Sequence, residues 1–156
     1  DKTPPNFMWI GFIKIFFPNS KIIHCSRDAK DNCLSVFKNN FASRDMEWAH
    51  DQNDIAHYYN LYLKLINFWK LKSPDSIYDV NYESIVSTPE KETRKLLKFC
   101  NLEWDDNCLN FYKNKKTPIQ TVSVSQARKP IYNSSVNSNS DYSKYLQDMY
   151  NILDTQ

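Results

Sequence analysis

Glycine is almost missing from this chain: Gly11 stands alone in 156 residues. A phosphate-cradling loop needs several, because glycine lets successive backbone N–H groups approach a phosphate without a Cβ in the way. Composition therefore excludes a self-contained phosphate-loop enzyme. The four cysteines (25, 33, 100 and 108) form no C-x-x-C pair, which argues against a zinc site or a thioredoxin-type redox motif. His24, His50 and His57 show no ligand spacing, and no metal is expected. No apolar run approaches the ~20 residues of a membrane span, and no signal-peptide pattern opens the sequence. The net charge is only +2, so neither nucleic acid nor a membrane surface is an expected partner.

What is present is aromatic. Phe, Tyr and Trp make up 15% of the chain, and a length of 156 residues suits one domain, 1–156, with a real core. Cys25 and Cys33 sit in apolar patterns and read as buried thiols. Cys100 and Cys108 flank the turn "CNLEWDDNC" and could approach one another, or stay free. The compartment is left open, with a lean to the cytoplasm. "NSS" at Asn133 fits a glycosylation sequon but says little by itself.

Along the chain, "NFMWIGFIKIFFPNS" reads as a helical run stopped by Pro18 and Asn19. "KIIHC" is a short apolar run of buried-strand type, ending in "SRD". Asp28 is a good N-cap, after which Cys33, Leu34, Phe37 and Phe41 share a helical face. A polar connection, "ASRDMEWAHDQND", leads to the strongest helix, whose stripe is Ile55, Tyr59, Tyr62, Ile66 and Trp69. "KSPD" ends that helix. "SIYDVNYESIV" reads as a second strand running into a turn, and Thr88-Pro89 opens another helix. A short helix over "WDDNCLNFYKN", a loop from Thr117 to Asn139 and a closing amphipathic helix marked by Tyr142, Tyr145, Met149 and Ile152 complete the reading. Helices alternating with short apolar strands imply a helix-rich α/β fold, its parallel strands joined by helical crossovers.

Ligands in open α/β sheets bind beyond the carboxyl ends of the strands. Arg27 follows the first strand and Tyr82-Glu83 the second, so parallel strands would bring them out on one edge. Ser35 and Lys38, three apart on the intervening helix, share a face. A guanidinium, a hydroxyl and an ammonium around a helix start suit an anion, and a nearby tyrosine offers a ring for stacking. Each also has a plainer reading. Arg27-Asp28 makes sense as a strand-end ion pair and cap, Ser35 as a solvent-facing serine, Tyr82 as core, and His24 as a satisfied core or edge histidine.

These residues resemble a family. "DKTPPNFMWIGFIKIFFPNSKIIHCSRDAKDNCLSVFKNNF", then "FWK", "VNYESIV", "PEKETRKLLKFCNLEWDDNCLNFYKN" and "SVSQARKPIYNSSVNSNSDYSKYL", are similar in order to sulfotransferases of the bacterial tetratricopeptide-linked type, kin to tyrosylprotein sulfotransferases. The resemblance implies a P-loop NTPase-like parallel sheet flanked by helices, of which this chain is the C-terminal portion. It also implies transfer of a sulfuryl group from 3′-phosphoadenylyl sulfate to an acceptor hydroxyl on protein, carbohydrate or small molecule. Arg27 and Ser35 match the pair that holds the donor's 3′-phosphate, and Tyr82 matches a tyrosine near the adenine or phosphate. Lys2, in "DKTPP", matches the lysine near the transferring sulfuryl group. Ser125 lies in the segment that supplies a serine near the bridging oxygen, and Gln126 and Arg128 belong to the same closing loop. Where the tyrosylprotein enzymes carry an arginine this chain has Asn39, with Lys38 beside it as a partial substitute.

The departures point the other way. The family's glycine-rich phosphosulfate loop and its general base fall upstream of "DKTPP", so this chain alone is expected to have little or no turnover. In the late motif the family's basic residue and Trp are replaced by Ser138 and Asn139. Each replacement should weaken nucleotide binding by roughly 1–3 kcal/mol. The alternative expectation is a degenerate, non-catalytic binding or scaffold protein that keeps the fold.

Overall fold

The computed structural model describes residues 4–39, 41, 44–113 and 128–153. Two five-residue strands, β1 (Ile22–Ser26) and β2 (Ile77–Asn81), lie parallel, with Ile22 opposite Ile77 and Ser26 opposite Asn81. The crossover between them carries α2 (Ala29–Phe37), a 3₁₀ segment (Arg44–His50) and the long α3 (Gln52–Lys72). Ahead of β1 come a 3₁₀ turn (Pro4–Trp9) and α1 (Ile10–Phe16). β2 feeds straight into α4 (Tyr82–Ser87) and α5 (Pro89–Cys100), and α6 (Gln147–Leu153) closes the described chain. The fold is the expected helix-rich α/β arrangement, a parallel sheet flanked by helices.

α3 carries the packing. Asp51 caps it by accepting from the N–H groups of Asn53 and Asp54, and Ser73 with Pro74 ends it. Near its start, Ile55 and Ala56 pack against Cys33 and Leu34 of α2 and against Leu146, Met149 and Tyr150 at the C-terminal end. Near its end, Ile66 meets Ile10 of α1 and Ile77 of β2, with Phe7, Ile22, Tyr62 and Trp69 around them. Each buried Ile or Met contributes about 1.5–3 kcal/mol by leaving water. One helix therefore joins two small cores.

Several local expectations need correcting. The polar connection before α3 is not merely a linker: Ala49 is buried and Trp48 stacks on Tyr58 with ring centroids 3.8 Å apart. β2 is followed by a helix rather than a turn, because Asn81 caps the Ser84 N–H at 2.8 Å. Thr88 precedes α5, but its hydroxyl donates back to the Ser84 carbonyl instead of capping forward. Phe37 is exposed, and Phe41 lies past the end of α2. The closing segment is a 3₁₀ turn (Ser140–Tyr145) followed by α6. That break shifts the helical phase, so Leu146, Met149 and Tyr150 are buried while Tyr142 and Tyr145 face out. Cys33 is buried as expected, but Cys25 is on the exposed face of β1; all four cysteines are free thiols.

α1 buries little besides Ile10. Phe12, Ile15, Phe16 and Phe17 stay exposed, with Ile15 at 73% and Phe16 at 71%. Gly11 explains how closely α1 sits on α3: a Cβ there would stand 2.6 Å from Cη2 and 2.9 Å from Cζ2 of the Trp69 indole. Replacing Gly11 by Ala should lower stability despite the better helix propensity. Overpacking costs about 1–3 kcal/mol, against about 1 kcal/mol gained in propensity. The check is a lower urea midpoint for Gly11→Ala with an unchanged denaturant slope.

Candidate functional site

The parallel register has one chemical consequence at the C-terminal ends of the strands. Ser26 and Asn81 are opposite each other, so the next residues, Arg27 and Tyr82, leave the sheet on the same edge. The Arg27 guanidinium carbon lies 5.0 Å from the Tyr82 ring centroid, a cation–π contact worth about 0.5–2 kcal/mol. The helix starts beside them are pinned. Asp28 accepts from the Asp31 N–H at 2.8 Å, and the Asp28 N–H itself donates to Glu83 Oε1 at 2.9 Å. Asp28 is thus the N-cap, as expected, but the carboxylate near Arg27 belongs to Asp31.

Asp31 is fully buried, at 0% exposure. Its Oδ2 accepts from the Asn137 N–H at 2.7 Å. Its Oδ1 accepts from the Asn139 N–H at 2.8 Å, the Asn139 side-chain amide at 2.9 Å and the Ser138 hydroxyl at 3.2 Å. Arg27 Nη2 stands 3.6 Å from Oδ2 and donates to the Ser135 carbonyl. Burial alone would raise the Asp31 pKa. The hydrogen bonds from Asn139, Asn137 and Ser138 outweigh burial and hold it below the ordinary aspartate value. Arg27 Nε is buried and has no hydrogen-bond partner among the described residues. One donor of the guanidinium is therefore left over, at a cost of about 1–3 kcal/mol unless a ligand accepts from it.

Ser35 lies one turn beyond Asp31 on α2, four residues on and hence on the same face. Its carbonyl accepts from the Asn39 side chain at 2.6 Å, and its hydroxyl makes no hydrogen bond among the described residues. Lys38 caps the end of α2 and sets its ammonium 4.6 Å from the Tyr142 ring centroid. It is turned to that ring rather than to Arg27. Arg128 is half-buried in the turn that begins the last described segment. Lys2, Ser125 and Gln126 lie outside the described residues. Ser138 and Asn139, at the places of the family's basic residue and tryptophan, both bond to Asp31. A cleft of about 430 Å³ lies elsewhere, beside Arg94, Lys98 and Trp104 at the end of α5.

A second polar cluster sits within the sheet. His24, 9% exposed, bonds through Nδ1 to Asp79 Oδ1 and through Nε2 to the Tyr62 hydroxyl. Lys70 closes the cluster with an ion pair to Asp79 Oδ2 at 2.8 Å. His24 is the satisfied core histidine expected. Asp79, Lys70 and Tyr62 were not anticipated as its partners, nor was Asp31 as an organiser. The signal for the first lay in equal spacing, since His24 precedes Arg27 by three residues and Asp79 precedes Tyr82 by three. For Asp31 it lay in the four-residue step from Arg27. Among the described residues no group of His, Cys, Asp and Glu could hold a metal ion, and no helix is long and apolar enough to cross a membrane.

Comparison with known proteins gives the family. Residues 1–106 match the sulfotransferase family. An uncharacterized protein of Aquifex aeolicus is 39% identical over 155 residues, 98% of this chain and 20% of that protein. Protein-tyrosine sulfotransferase 1 of Danio rerio is 26% identical over 110 residues, 70% of this chain and 31% of that protein. This chain belongs to the sulfotransferase family, with distant similarity to the protein-tyrosine sulfotransferases. It spans less than half the length of these relatives.

The His24 cluster sets a pH dependence. Burial, foremost, lowers the His24 pKa below the ordinary 6.5, although the Asp79 hydrogen bond pulls it back up. The unfolded chain then takes a proton that the folded chain refuses. Stability from this site is present above pH ~6.5 and falls as pH drops below it. Urea midpoints measured from pH 7.5 down to about 5 should decline in the parent and decline less steeply in His24→Asn. Parallel declines would remove His24 as the cause.

Proposed function

We propose that this chain carries the 3′-phosphate half of a donor site for 3′-phosphoadenylyl sulfate, the nucleotide from which a sulfuryl group passes to an acceptor hydroxyl. The observation that carries the reading is the Arg27 Nε–H at the strand ends, without an acceptor among the described residues, beside the Tyr82 ring and just ahead of the helix that bears Ser35. The residues suit a phosphate: a guanidinium offers planar donors to its oxygens, and the Ser35 hydroxyl adds another. Tyr82 provides a face for the nucleotide or for Arg27 itself. Lys38 and Arg128 contribute positive potential at longer range. Lys2 and Ser125 take their roles from the family resemblance alone: a cation against charge developing on the sulfuryl oxygens, and a hydroxyl near the bridging oxygen.

The bound nucleotide supplies the sulfuryl group. Its sulfur–oxygen bond to the phosphate breaks as one forms to the acceptor oxygen, whose proton goes to a base, leaving a sulfate ester and 3′-phosphoadenosine 5′-phosphate. The parts of this chain bind and orient. They do not amount to a full set of reacting groups, so the chain alone is expected to bind the product nucleotide without sulfating acceptors. The tetratricopeptide-linked type and the acceptor class, protein, carbohydrate or small molecule, are finer readings of the same resemblance.

A second reading has its own observation. Ser138 and Asn139 are spent on Asp31, and Arg27 already donates to Ser135, as suits a scaffold that has given up the nucleotide. Calorimetric titration separates the two. The donor reading expects 3′-phosphoadenosine 5′-phosphate to bind in the micromolar range and adenosine 5′-phosphate much more weakly. Arg27→Ala should remove that preference, costing about 1.5–3 kcal/mol, the scale of a hydrogen bond to a charged group. No binding, or binding indifferent to Arg27→Ala, leaves the scaffold.

A further inference from the structure

We propose that Asp31 is a positioning residue. By holding the loop of residues 137–139 it keeps the Ser135 carbonyl on Arg27, and so fixes the guanidinium across Tyr82, its Nε–H without an acceptor among the described residues. The proposal rests on the donor-site reading for its binding consequence, but the latch itself is independent of any nucleotide.

The geometry is unusual for a solvent-accessible strand end. A carboxylate with 0% exposure collects four hydrogen bonds from three consecutive residues more than a hundred positions away in sequence. A buried charge is tolerated only when its lone pairs are filled, so the loop and the carboxylate hold each other. Tyr150 of α6 adds to the hold, its hydroxyl donating to Asn139 Oδ1 at 3.3 Å. Two residues upstream of Asn137, the Ser135 carbonyl accepts from Arg27 Nη2. Asp31 stands 3.6 Å from that same nitrogen. The guanidinium is thus gripped at one end by a carbonyl whose place depends on Asp31.

A carboxylate this close to Arg27 has two opposed effects on an incoming anion. It repels the anion directly, and it orders the arginine that receives it. The loop's four bonds to Asp31 spend much of the charge, so ordering wins. Asp31→Asn keeps the shape while replacing one acceptor by a donor, which sets an N–H against the Asn137 or Asn139 N–H.

Three measurements on the 156-residue chain test this. In Asp31→Asn, hydrogen exchange should speed up at the Asn137 and Asn139 amides while α3 keeps its protection. The Arg27 Nε–H resonance should broaden or shift. The affinity for 3′-phosphoadenosine 5′-phosphate should fall about tenfold, the order expected when a buried hydrogen-bond set is broken. Asn139→Ala, which leaves α2 untouched, should move all three readouts the same way but less, and it serves if Asp31→Asn fails to fold. Unchanged amide protection and an unchanged Arg27 signal overturn the latch. Tighter nucleotide binding in Asp31→Asn also overturns it, by making Asp31 an antagonist. A parent chain that binds no nucleotide sinks the donor reading alone, because the exchange and resonance readouts still report on the latch.

Discussion

Two short strands lying parallel and in register set the position of every group discussed above. The pairing of Ser26 with Asn81 brings Arg27 and Tyr82 to one edge, and the pairing of His24 with Asp79 puts a buried base against a carboxylate one step inside. A slip of one residue would turn each of these side chains to the other face, because the strand period is two. The register is held by side chains as well as by the backbone ladder. Tyr62 and Lys70, both on α3, reach the His24–Asp79 pair from the long helix, so the crossover helix is tied to the strands it connects.

At the strand ends the same economy recurs with charges. Arg27 is shared between a ring, a carbonyl and a carboxylate, and Asp31 between the arginine and a distant loop. Neither charge is free to leave, since removing one partner strands the other in a region of low dielectric. These side chains are thus held in one arrangement by their mutual contacts.

Much of this was legible in the residues. The strand–helix alternation implied parallel pairing, and parallel pairing implied that Arg27 and Tyr82 would meet; both follow from local pattern and chain connectivity. The stripe from Ile55 to Trp69 and the Asp28 cap were equally plain. What could not be read were contacts that depend on where a loop returns. Nothing near Asp31 in sequence announces that residues 137–139 will fold over it, and a buried aspartate looks like any helical aspartate until its partners arrive. The closing helix failed for a local reason, a break at Leu146 that rotates its apolar face. Lys38 kept its helix face but found an aromatic ring closer at hand than the guanidinium.

The uncovered strip of Phe12, Ile15, Phe16 and Phe17 has a practical consequence for anyone handling the chain in water. With a net charge of +2 and an isoelectric point near 8.3, little long-range repulsion keeps two molecules from touching along that strip. Moving to a more acidic buffer raises the positive charge and pushes molecules apart. The same move protonates the imidazole that ties the sheet to its crossover helix. Colloidal and conformational stability therefore pull the working pH in opposite directions.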